Sequence, residues 1–340
     1  MLQFANMITA VDAHTGGEPL RIIVAGLPLI PGADILDKRS YLKENLDHLR
    51  KLLMLEPRGH SGMYGCIVTP AVTDDGDFGV IFTHNEGYSS MCGHGIIAVT
   101  KALIEIGQIP SEEGANTVRI DAPAGRVTAV ALVESGRVRQ VEFTNVPSFV
   151  YATDVPVMLA GIGAIKVDVA YGGAFYAYVD ADKLGLAVDP KYMEELVKRG
   201  MEIKYAVMEK IRVEHPLEQR IVGIYGTIFT APLKQKEFGL HSKNVCIFAD
   251  GQIDRSPTGT GTAGRVALLH HKGLFKEGMT LQNDSIIDTV MTGRIAGLTK
   301  LGSFSAVIPI VGGTAHIMGF NQLVLDPEDP LPEGFRITGG

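Results

Sequence analysis

Cysteine is scarce in this chain. Only three occur in 340 residues, at 66, 92 and 246, and none forms a CxxC pair. An odd count without paired spacing argues against a disulfide framework and for a reducing compartment. Long apolar runs are missing too: none approaches the roughly 18 residues of a membrane span. The segment Met1 to Asn6 lacks a basic region leading into an apolar block, so no signal peptide is expected and a cytoplasmic location is. There is no basic cluster. With a formal net charge of −7, nucleic acid is not an expected partner. HExxH, zinc-ligand spacing and a local Ser-His-Asp set are absent, which leaves no metal site legible and a dispersed triad open. Low-complexity segments are also lacking.

What is present is ordinary globular composition, 46% hydrophobic and 20% charged, with an unusual 40 glycines. That many glycines suits a chain rich in turns and in close approaches of backbone to ligand. The length exceeds what one core usually fills, so two domains are the default.

The most informative feature is an internal repeat. Met91-Cys92-Gly93-His94-Gly95 precedes an apolar run from Ile96 to Ile106 and then Gly107. Pro257-Thr258-Gly259-Thr260-Gly261 precedes Ala263 to His271 and then Gly273. With Cys92 laid on Thr258, glycines coincide at three positions: 93 with 259, 95 with 261, and 107 with 273. The copies lie 166 residues apart, close to half the chain. Both runs are apolar on nearly all sides and predict buried helices.

Elsewhere, short strands are expected between Gly/Asp/Pro turns. They fall at 7–13, 21–25, 66–71, 78–82, 117–122, 126–133 and 138–145 in the first half. The second half offers 166–171, 175–179, 221–230, 244–248, 285–289 and 304–311. Turns such as Asp74-Asp75-Gly76-Asp77 indicate hairpins, hence mostly antiparallel sheet. A helix is expected from Ser40 to Met54, where Leu42, Leu46, Leu49 and Leu53 share one face. A further helix is expected to start at Asp189-Pro190 and stop at Gly200. One buried helix inside antiparallel sheet, once per half, is the expected architecture, with the boundary near Ser148–Pro156.

The two helix starts carry the chemistry. A first turn has unpaired N–H groups and the positive end of the dipole, so it holds a carboxylate without an arginine. The same end is expected to lower the pKa of Cys92, making it a base or nucleophile. Cys66 and Cys246, inside apolar strands, read as core filler. His94 either faces the cleft or caps the helix. Asp254 either pairs with Arg255 at the surface or meets a substrate ammonium. His270-His271 suit a helix C-terminus. Gly259 to Gly264 satisfies GxGxxG, but a polar turn, not a strand, leads into it, so the dinucleotide match is weak.

These segments resemble those of the proline racemase family. Met91 to Gly95 and Asp254-Arg255-Ser256-Pro257-Thr258-Gly259-Thr260-Gly261-Thr262 are similar to its two signature motifs. Val11 to Pro19, Glu56 to His60 and Gly172 to Ala177 fit as well, so the resemblance spans nearly the whole chain. It implies an α+β, diaminopimelate-epimerase-like fold of two pseudo-symmetric lobes, each a mostly antiparallel sheet wrapped around a central helix. The expected lobes are 1–150, carrying Cys92, and 151–319, carrying Thr258, with a tail from about 320 to 340 set against the first. The resemblance implies no cofactor and no metal.

In the family's racemases and epimerases both motifs carry cysteine, whereas here the second is Thr258. The Cys/Thr pairing is similar to the branch that dehydrates a 3-hydroxyproline. Cys92 and Thr258 are then the catalytic pair. The N–H groups around Gly93, His94, Gly259 and Thr260 hold the carboxylate. His94 and Asp254 meet the ring nitrogen, and Phe248 packs on the ring. The implied partner is a small hydroxyproline, with neither membrane nor nucleic acid, and a homodimer is one assembly left open. Racemase or 4-hydroxyproline epimerase activity, and a non-catalytic proline-binding role, stand as alternatives.

Overall fold

The computed structural model describes residues 6–337. Its described residues form an α+β fold: a mixed sheet closed on itself, with five α-helices. The helices are α1 (Ile35–Asn45), α2 (Asp47–Met54), α3 (Gly93–Glu105), α4 (Met193–Lys210) and α5 (Gly259–His271). None is long and apolar enough to cross a membrane.

The order of strand pairing runs twice. Asn6–Thr15 pairs antiparallel with Glu18–Ala25, which pairs parallel with Tyr64–Thr69 after α1 and α2. Tyr64–Thr69 pairs antiparallel with Phe78–His84, which turns back as Tyr88–Ser89 and leads into α3. Phe78–His84 then pairs parallel with Gly114–Ala122, followed by antiparallel Gly125–Glu134 and Arg137–Thr144. In the second half, Gly163–Tyr171 pairs antiparallel with Phe175–Asp180, and this pairs parallel with Gly226–Thr230 after α4. Gly226–Thr230 pairs antiparallel with Gly239–Phe248, which turns back as Gln252–Asp254 and leads into α5. Gly239–Phe248 pairs parallel with Thr280–Asp284, followed by Val290–Leu301 and Phe304–Gly313. Each parallel pair needs a crossover, and helices supply it. Ser148–Leu159 closes the second ring, pairing with both Gly163–Tyr171 and Phe304–Gly313. Ala315–Leu325 returns to pair with Asn6–Thr15.

α3 packs among Arg137–Thr144, Asn6–Thr15 and Ala315–Leu325, and α5 among Ser148–Leu159, Gly163–Tyr171 and Phe304–Gly313. Both are buried on almost every face, as their all-round apolarity requires. Each ends at the repeated glycine, Gly107 at φ +77° and Gly273 at φ +71°, left-handed positions suited to a residue without Cβ.

Several expectations are corrected. The helix from Ser40 to Met54 is two helices, because α2 has its own start: Asp47 pairs with Arg50, which donates to the His84 and Asn85 carbonyls. Gly200 lies inside α4 rather than ending it. A Cβ there would sit 2.7 Å from the Ile247 Cβ, so the glycine serves helix–sheet contact. Asp189 caps a short turn ahead of α4, accepting the Lys191 N–H at 3.0 Å. Residues 285–289 form a turn, not a strand, because the Ser285 hydroxyl accepts the Ile287 and Thr289 N–H groups. The strand expected from 221 begins only at Gly226, and the expected boundary at Ser148–Pro156 falls within a continuous strand.

Candidate active site

The two repeated helices meet at their first residues. A Cβ on Gly93 would lie 2.5 Å from the Gly259 Cα, and one on Gly259 would lie 2.6 Å from the Gly93 Cα. Only glycine at both positions permits this backbone contact. The N–H groups of Gly93, His94, Gly259 and Thr260 precede the first helical acceptors and have no intrahelical partner. They surround one tight hollow of about 20 Å³ lined by Cys92, His94, Phe248, Asp254, Thr258 and Thr260, among others. All eight residues expected at the site line it. A helix interior normally favours alanine over glycine by about 1 kcal/mol. Here Gly259→Ala is expected to invert that sign and destabilise the fold by about 1–3 kcal/mol through overpacking, read as a lower midpoint in denaturant melts.

Cys92 is the N-cap of α3. Its sulfur accepts the Gly95 N–H at 3.2 Å and lies 3.2 Å from His94 Nδ1. Burial nevertheless pushes the thiol well up; the Gly95 N–H and the Tyr64 hydroxyl pull it down, and nearby Asp254 adds to the rise. The expectation of a lowered pKa is therefore corrected. It counted the helix end but not the desolvation of a fully enclosed sulfur. Burial likewise keeps the His94 ring neutral, against Asp254 and the Pro19 carbonyl, which favour its charged form.

Thr258 is the N-cap of α5 but differs from Cys92 in geometry. It adopts φ +62°, rare for a β-branched residue, and its hydroxyl caps nothing. That oxygen is buried and has no hydrogen-bond partner among the described residues. The protonated Cys246 thiol lies beside it, pushed up by burial.

The segment Thr15–Glu18 ties the two starts together. The Thr15 hydroxyl donates to the His94 carbonyl at 2.9 Å. The fully buried Glu18 accepts from the Arg255 backbone at 2.9 Å and its guanidinium at 3.0 Å. Arg255 is thus engaged by Glu18, which leaves Asp254 facing the hollow; its Oδ1 accepts the Ser256 N–H at 2.8 Å. Thr260 receives support from the Tyr176 hydroxyl at 2.7 Å.

Sequence reasoning missed the aromatic walls. Tyr64, Tyr225 and Met91 line the hollow, and so does Cys246, expected as plain filler. Tyr225 stacks on Phe248, centroids 5.4 Å apart and 14° between planes, and Tyr64 meets the His94 ring edge-on at 4.9 Å. No local pattern separates these tyrosines from core aromatics. The glycines of the GxGxxG match serve packing: a Cβ on Gly261 or Gly264 would strike Ile228 or Tyr178. Among the described residues no three His, Cys, Asp or Glu side chains are grouped to hold a metal ion.

The whole chain has close counterparts. It is 47% identical over 336 residues, 99% of this chain and 100% of the relative, to a protein of Bacillus cereus named trans-3-hydroxy-L-proline dehydratase. It is 45% identical over 337 residues, 99% and 100% of the two chains, to a Burkholderia multivorans protein named 3-hydroxyproline 2-epimerase. Among solved structures, a hydroxyproline epimerase from Agrobacterium vitis with bound trans-4-hydroxy-L-proline matches with TM-score 0.93 and 34% identity, covering 99% of this chain and 97% of that one. The family model described as proline racemase matches residues 10–336. Paired Gly-rich helix starts around one hollow, in a fold shared over its full length, place this chain in the proline racemase family.

Proposed function

We propose that the chain is a hydro-lyase that dehydrates trans-3-hydroxy-L-proline. The observation that carries this reading is the asymmetry of the hollow: a thiol at one helix start and only a hydroxyl at the other. Two-base inversion needs a base on each face of the ring. A threonine hydroxyl is far too weak an acid to supply the second, and among the described residues no histidine or carboxylate pairs with Thr258. In trans-3-hydroxy-L-proline the α-hydrogen and the 3-hydroxyl share a ring face, so their loss is a syn elimination and one base suffices.

The twice-run strand order supports reading the chain as two pseudo-symmetric lobes, about 1–150 with the returning tail and 151–319, meeting at the hollow. The free N–H groups at Gly93, His94, Gly259 and Thr260 hold the carboxylate and the charge that spreads onto it as Cα loses its proton. Asp254 and His94 face the ring nitrogen, Phe248 covers the ring, and Thr258 binds the substrate from the opposite face. The positive ring nitrogen, arriving beside Cys92, offsets the desolvation that raises the thiol pKa. The Cys92 thiolate then takes the α-proton, the 3-hydroxyl departs, and the cyclic enamine tautomerises to Δ1-pyrroline-2-carboxylate.

Incubation of the protein with trans-3-hydroxy-L-proline, with detection of the cyclic imine, tests this directly; absence of imine with intact binding of L-proline points instead to a binding protein. The epimerase reading is kept because the Burkholderia multivorans relative bears that name. The raised Cys92 pKa also fixes the sign of the pH dependence. The active base form grows as pH rises, so kcat/KM is expected to climb through and beyond the ordinary thiol value of about 8.5. A kcat/KM that falls steadily from pH 6 to 9 contradicts Cys92 as the base.

A further inference from the structure

Asp254-Arg255 sets a carboxylate next to a guanidinium in the chain, yet Arg255 pairs elsewhere. Glu18, at the start of the strand Glu18–Ala25, is 0% exposed. Its Oε2 accepts the Arg255 backbone N–H at 2.9 Å and the Arg255 guanidinium at 3.0 Å. That N–H belongs to the peptide bond that follows Asp254, so one oxygen anchors both the backbone there and the side chain. The guanidinium donates further to the Gly62 and Ile253 carbonyls, at 3.1 and 3.2 Å. Gly62 makes room for it: a Cβ there would lie 2.9 Å from the guanidinium. Asp254, 5% exposed, lines the hollow, and its Oδ1 accepts the Ser256 N–H. Burial, then the neighbouring Asp254, push the Glu18 carboxyl well up, and Arg255 opposes both. An arginine does not release its proton, so its cation needs a carboxylate wherever it turns. A buried ion pair contributes little net stability over an apolar pair of the same volume; what it supplies is a fixed location for charge.

We infer that Glu18 is a positioning residue: it holds Arg255 away from Asp254, leaves the Asp254 carboxylate uncompensated, and so makes the hollow select a proline-type ring whose nitrogen is cationic. The inference rests on the proposed placement of Asp254 at the ring nitrogen. Without the Glu18 charge, the acid at hand for the guanidinium is Asp254, the residue before it in the chain. A pair formed there cancels the negative charge and brings a cation toward the ring nitrogen. A secondary ammonium is then repelled where it was attracted. The ligand's carboxylate is untouched, since helix-start N–H groups hold it. Loss of the Glu18 charge is therefore selective: it removes recognition of the nitrogen and spares recognition of the acid. Glu18 does not line the hollow, so it acts through Arg255 and Asp254.

Two ligands of one shape test this by calorimetry. L-Proline carries a cationic ring nitrogen, and (S)-tetrahydrofuran-2-carboxylate carries a neutral oxygen in its place. The parent is expected to bind L-proline at least about tenfold more tightly, the range of a hydrogen bond to a charged group. Glu18→Gln keeps the size and an acceptor for the Arg255 N–H but removes the charge. It is expected to weaken L-proline by about tenfold or more and to leave the oxygen analogue within about threefold. Glu18→Gln/Arg255→Gln also removes the freed cation, and is expected to return the preference to within about threefold of the parent's. Arg255→Gln alone is expected to keep the preference, because Asp254 stays uncompensated. Equal weakening of both ligands in Glu18→Gln overturns the inference and leaves Glu18 a structural residue only. So does parental affinity for L-proline in that variant, or a loss of preference of about tenfold in Arg255→Gln. Where Glu18→Gln does not fold, the double variant decides: folded with the parental preference it supports the inference, folded without it the inference fails. A parent that binds both ligands equally overturns the placement of Asp254 and the inference with it. Absence of imine from trans-3-hydroxy-L-proline overturns the dehydratase reading alone.

Discussion

Cys92→Ala lowers the rate of imine formation from trans-3-hydroxy-L-proline by at least about 10³-fold, the upper range for removal of a positioned base. Binding of L-proline survives, because the carboxylate is held by helix-start N–H groups and not by sulfur. Cys92→Ser behaves like the alanine variant, since a serine alkoxide is inaccessible near neutral pH. The contrast is Cys66→Ala. Cys66 is fully buried in the core around α3, away from the hollow lining. That change costs about 1–2 kcal/mol of stability, as expected for a small core truncation, and leaves the rate within a factor of about three, beyond which catalysis is affected. Steady-state rates with imine trapping, set beside denaturant melts, separate the two effects. A Cys92→Ala protein that keeps a tenth of the parental rate leaves the sulfur without its assigned role.

The second large effect is a gain. Thr258→Cys places a thiol on the face opposite Cys92, at a position that is buried, unpartnered and already inside the hollow. The variant acquires epimerisation of trans-4-hydroxy-L-proline at a rate at least about tenfold above the parent's background, seen as the cis-4-hydroxy-D isomer. The gain stays partial. Thr258 holds φ +62° where Cys92 holds φ −147°, so the new sulfur does not reproduce the geometry of the first. A folded variant that binds ligand yet incorporates no deuterium at Cα from the second face contradicts the placement of residue 258 across the ring.

Much of this was legible because the repeat is written in residues with few alternatives. Gly93 and Gly259 touch through their backbones, and Gly107 and Gly273 close their helices at positive φ, so glycine is required at each. The matched spacing therefore located both helices, each starting three or four residues ahead of its apolar run, and all eight expected site residues line one hollow. The failures have equally local causes. Gly200 resembles a helix stop but is a contact with Ile247. Residues 285–289 resemble a strand until the Ser285 hydroxyl closes a turn. The Cys92 pKa was misjudged because a helix start can be read from sequence and desolvation cannot. Tyr64 and Tyr225 meet only through long-range pairing, their hydroxyls 3.4 Å apart, so no window of sequence contains their association.

The claim that one base acts on one face is tested most directly by incubating the unaltered protein with trans-3-hydroxy-L-proline in D₂O and following imine and C2 epimer together by NMR. The account predicts imine as the accumulating product with no cis-3-hydroxy-D-proline. Accumulation of that deuterated epimer, at a rate matching or exceeding imine formation, contradicts it and assigns the hollow a second working base.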